Sequence, residues 1–61
     1  MTHRLNELAD DIRYCTEQAR QFSDLACRVA FKGNAMAAAH YEDIARVFAK
    51  RAMSAARAVS A

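Results

Sequence analysis

The chain has 61 residues, a net charge of +2 and a hydrophobic fraction of 54% carried largely by alanine. That length admits one small domain, which buries only about 60% of the surface its unfolded form exposes. The charge is too small to imply nucleic acid on its own. No run approaches the roughly 18 apolar residues of a membrane span, and the start, Met1-Thr2-His3-Arg4-Leu5, lacks the apolar core of a signal peptide.

Small domains usually recruit a disulfide framework, a metal or a partner chain. On one helix, Cys15 and Cys27 would stand about 18 Å apart at 1.5 Å per residue. A disulfide requires Cα atoms within about 7 Å. Two free thiols point to a reducing, cytoplasmic setting, and they leave association as the route to stability.

With no proline and a single glycine, the composition favours helix strongly. A first helix is predicted from about His3 to Lys32, with Thr2 as its N-cap. Leu5, Leu8, Ile12, Cys15, Ala19, Phe22, Ala26 and Val29 follow one another at alternating spacings of three and four. This is a heptad seam, with Leu5, Ile12, Ala19 and Ala26 at a and Leu8, Cys15, Phe22 and Val29 at d. The far side carries Arg13, Glu17, Arg20, Asp24 and Arg28, alternating in sign, which reads as a solvated face. Acids come early (Glu7, Asp10, Asp11) and bases late (Arg28, Lys32), in keeping with the helix dipole.

Gly33 supplies the left-handed residue that ends a helix, and Asn34 is a good N-cap for the next. The second helix is predicted from Ala35 to near Val59. Its seam is Ala38, Tyr41, Ala45, Phe48, Ala52, Ala55 and Val59. Alanine at three of the four a positions lets two antiparallel helices approach closely. The expected fold is all-α, an antiparallel two-helix hairpin over residues 1–61, with two copies assembling into a four-helix bundle.

Tyr14, Leu25, Phe31, Ile44, Val47 and Met53 lie outside both seams. A hairpin that pairs seam with seam leaves them wet, so they are the expected self-association and partner face, with a homodimer favoured.

Residues 22–45 resemble one tetratricopeptide-type hairpin. Phe22, Leu25, Ala26 and Val29 stand at its large-large-small-large positions, Gly33-Asn34 at its turn, and Ala38, Tyr41 and Ala45 on its second helix. That resemblance implies binding of peptides or proteins and no catalysis. The chain holds one such unit, and stacked arrays need about three. The overall shape also resembles Rop-like RNA-binding hairpins, a likeness of architecture that does not fix function.

Helix 2 carries Arg46, Lys50, Arg51 and Arg57 with no acid after Asp43. Arg46, Lys50 and Arg57 fall on one stripe and are the candidate nucleic-acid contacts; the plainer reading is cations offsetting a helix C-terminus. The same stripe could touch an anionic membrane, but alanine makes a weak apolar face for that purpose. His40 and Asp43 share a face, yet Glu42 lies on another, so no metal or other cofactor is expected. Cys15, at a d position, reads as a small buried hydrophobe, and Cys27 as an accessible thiol. Catalysis is not expected, because two helices with an alanine seam offer no pocket that excludes water. The function expected from sequence is a non-enzymatic interaction module, an adaptor, inhibitor or regulator. The alternative is a Rop-like RNA- or DNA-binding regulator.

Overall fold

A computed structural model describes the backbone of residues 2–60 and the side chains of residues 5–60. Two helices, α1 (Thr2–Phe31) and α2 (Ala35–Ser60), pack along their length as a closed hairpin with Cα extents of 48 × 14 × 11 Å. The predicted boundaries hold to within a residue. The proposed Thr2 cap falls outside the described side chains.

The turn is built from backbone chemistry. Gly33 has φ +90°, a conformation that side-chain-bearing residues resist. Its N–H donates to the Ala30 carbonyl at 2.9 Å, and the Asn34 N–H donates to the Val29 carbonyl at 2.9 Å. This pair of bonds is the Schellman closure of α1. Asn34 then opens α2. Its Oδ1 accepts from the Ala37 N–H at 3.1 Å, and its carbonyl accepts from the Ala38 N–H at 3.1 Å, so one residue closes the first helix and caps the second.

The seam is where the heptads put it, and it is thin. Among the described residues, those buried are Cys15, Ala26, Ala38 and Ala55, and Cys15 is the largest side chain fully enclosed. Its thiol donates to the Asp11 carboxylate one turn back, at an Sγ–Oδ1 distance of 3.9 Å. Leu8, Ile12, Phe22, Val29, Tyr41 and Phe48 are half-buried. Leu5 and Val59, expected in the seam, are exposed; they lie at the open end of the hairpin, where no further layer covers them.

The contact stripe is wider than a and d. Asp11 and Gln18 on α1 and Ala37 and Ile44 on α2 are half-buried as well, and all four occupy g positions. A pair of α-helices that does not supercoil tightly presents about three residues per heptad to its neighbour. Ile44 was expected to stay wet, and the hairpin covers it in part for this reason.

Candidate functional site

In an antiparallel pair the g flank of one helix meets the g flank of the other. One broad face of the hairpin is therefore made of g and c residues from both helices. A shallow groove at the open end shows the alignment, joining Leu8 and Asp11 of α1 to Arg51, Ser54 and Ala58 of α2. Tyr14, Leu25, Ile44 and Val47 all belong to this g/c face. Val47 is 57% exposed, Tyr14 55% and Leu25 37%.

Beneath them runs a ladder of rings. Phe22 stacks on Tyr41 with centroids 6.1 Å apart and on Phe48 at 5.9 Å, the latter pair nearly parallel at 7°. Tyr14 meets Phe48 edge-on at 6.2 Å and 80°. These are the offset and T-shaped geometries that aromatic quadrupoles favour. Tyr14, expected outside the a/d seam and wet, is exposed, and its ring also extends the seam's aromatic row toward the surface. Sequence reasoning treated Phe22, Tyr41 and Phe48 as seam residues only. The available signal was four aromatic residues at c and d positions in matching layers.

The other two expected face residues are elsewhere. Met53, at a b position, shares a shallow groove with Lys50, Ser54 and Arg57 on the outer edge of α2. Phe31, at f, is 93% exposed and lines a depression with Cys27, Arg28 and Lys32 beside the turn. Met36, which the seam reading passed over, is 87% exposed at the same end. The six residues thus divide into one four-membered face and two separate spots.

The face opposite g/c is made of e and b residues; its b positions carry Arg13, Arg20 and Arg46, and Met53 is its largest apolar side chain. Its e positions hold Ala9, Thr16, Ser23 and Ala30 on α1, and Glu42, Ala49 and Ala56 on α2.

The basic stripe is exposed along α2. Arg46 lies 3.8 Å from Asp43, both side chains largely in solvent, so that pair adds little stability. On α1, Arg28 holds Asp24 at 2.9 Å, again at the surface. His40 is exposed and tilts against Tyr41, ring centroids 6.0 Å apart. Among the described residues no three His, Cys, Asp or Glu side chains come together as a metal-holding group. Both cysteines are free thiols, Cys15 buried and Cys27 exposed. Among the described residues no helix is long and apolar enough to cross a membrane.

No family model, curated protein or solved structure matches the chain.

Proposed function

We propose that this chain is a non-enzymatic interaction module that self-associates, two hairpins forming a four-helix bundle, and presents remaining helical surface to a protein partner. One observation carries the reading: the largest side chain that the single hairpin fully encloses is a cysteine. Every leucine, isoleucine, valine and aromatic ring of the described seam stays at least partly wet. Burial of such groups supplies most of the favourable free energy of folding, and a chain of this length has few other sources. Phe31 and Met36, off the g/c face, remain available to a partner in such an assembly. Two free thiols, one of them exposed, fit a cytoplasmic setting. Sedimentation velocity on the full chain at micromolar concentration tests the reading. The expected species is a dimer or higher assembly, and a folded, monodisperse monomer would defeat it.

A second reading is a nucleic-acid-binding regulator of Rop-like architecture. It rests on Lys50 and Arg57 flanking one groove with Ser54. It predicts that Arg46→Ala, Lys50→Ala and Arg57→Ala each weaken RNA or DNA binding and flatten its salt dependence. A low-salt gel-shift series without a shifted band removes it.

A further inference from the structure

Resting on the proposed self-association, we infer that the second copy docks on the g/c face through a two-fold axis that crosses both helices at the level of Val47. In the resulting dimer the two turns lie at opposite ends.

The ring contacts fix the register within one hairpin. Phe22 stacks on both Tyr41 and Phe48 and is therefore level with residues 44–45. Phe48 touches both Phe22 and Tyr14 and is level with Gln18. The midpoint between Tyr14 and Leu25 on α1 consequently stands level with Arg46 and Val47 on α2. A two-fold axis at that level lays α1 on the partner's α1 and α2 on the partner's α2, each pair antiparallel.

This placement pairs three of the four large apolar residues of the face with one another, while Ile44 lies level with the partner's Lys50 and the partner's Arg51. Tyr14 falls on the partner's Leu25, and Leu25 on the partner's Tyr14. Val47 meets the partner's Val47 at the axis. A two-fold axis along the helices would instead set α1 on the partner's α2, with Val47 over a glutamine, Tyr14 over an arginine and Ile44 level with the partner's Phe22, and it would leave Asp11 and Asp43 facing no base.

The charges agree. About the same axis, Asp10 and Asp11 are level with the partner's Arg28, and Asp43 with the partner's Arg51. Acids early in each helix and bases late make every one of these an acid facing a base, which guides docking and sets register.

The outline of the face is close to the size of a standard interface. Cα extents of 48 by 14 Å give a footprint of about 670 Å² before side chains widen it, against roughly 800 Å² per partner in a standard interface. The opposite face has the same outline, but its alanine, serine and threonine Cβ groups offer far less to bury.

The test compares three variants of the full chain by sedimentation and non-reducing electrophoresis. Val47→Arg sets two guanidinium groups against each other at the axis and is expected to weaken self-association by about 100-fold or more. Ala49→Arg, on the opposite face, is expected to leave it unchanged. Val47→Cys in a Cys27→Ala background is expected to form a disulfide-linked dimer on mild oxidation, an outcome independent of whether the arginine variant folds. A wild-type dimer that Ala49→Arg breaks, or that Val47→Cys fails to cross-link, overturns the assigned face and axis while leaving self-association standing. A folded wild-type monomer overturns the underlying reading itself.

Discussion

Truncating Phe22 measures how far the hairpin depends on a second copy. Its ring is partly covered in the single chain and makes two stacked contacts, with Tyr41 at 6.1 Å and Phe48 at 5.9 Å. A fully buried phenylalanine costs about 3–5 kcal/mol when cut to alanine. The ring is mostly but not wholly covered, so it retains most of that transfer and cavity cost, about 2–4 kcal/mol. Each lost ring pair adds about 0.5–1.5 kcal/mol, part of which is already contained in measured truncation costs. A lone hairpin should therefore lose about 2–4 kcal/mol, and an assembly that covers the g/c face should reach the upper part of about 3–5 kcal/mol. Urea denaturation followed by far-UV circular dichroism at several protein concentrations separates the two cases. In an assembly the wild-type midpoint rises with concentration, and the Phe22→Ala loss is the larger one. A loss within about 0.5 kcal/mol, the range of surface substitutions, would refute the packing shown by the ring ladder.

The turn offers two sharper tests. A Cβ at Gly33 meets nothing within 4 Å, so Gly33→Val should cost about 1–3 kcal/mol through its positive φ alone, and Gly33→Asn clearly less, both read as changes in urea midpoint. Asn34→Ala removes the acceptor for the Ala37 N–H and should lower stability by about 1 kcal/mol, with the helical signal of the folded protein unchanged. Thiol labelling under native conditions should modify Cys27 rapidly and leave Cys15 protected until denaturant is added; mass spectrometry after trypsin digestion identifies the labelled site, and prompt labelling of Cys15 would contradict its enclosure.

Much of the hairpin is legible in the sequence because its determinants are local. Gly33-Asn34 encodes both a left-handed backbone and a side-chain cap, and each needs only its immediate neighbours. The alternating spacing locates Cys15, Ala26, Ala38 and Ala55 on one seam without reference to any partner. What escapes the pattern depends on distance along the hairpin or on width around the helix. Leu5 and Val59 satisfy the spacing and are exposed, since periodicity carries no information about which end of the pair is open. Ile44 and Asp11 are half-buried because the real contact stripe includes g, which a strict a/d reading discards. The candidate face was legible in part. Tyr14, Leu25, Ile44 and Val47 share it, whereas Phe31 and Met53 do not, because apolar residues outside a seam can lie anywhere on the remaining circumference. The aromatic ladder required side-chain conformations and inter-helix register that no one-helix pattern contains.

The alanines and the aromatic rings are two sides of one packing solution. Ala26, Ala38 and Ala55 are buried together with Cys15, and side chains this small let the two helix axes draw close. Interiors pack near crystal density, so a narrow inter-helix space has no volume left for Phe22, Tyr41 and Phe48. Their rings lean out of the seam and stack on one another along its margin, where Tyr14 joins them. The small residues that tighten the hairpin thus leave its large ones at the margin of the seam, partly covered. The large apolar residues outside the seam are uneven as well, because the g and c positions carry Tyr14, Leu25, Ile44 and Val47 while the e and b positions carry one, Met53, among small residues and arginines. A sequence selected only for a solitary pair of helices would have no physical reason to keep that asymmetry. The hydrophobic effect favours covering the side on which the large groups lie, and the acid-to-base order along each helix gives a second copy a definite way to do it.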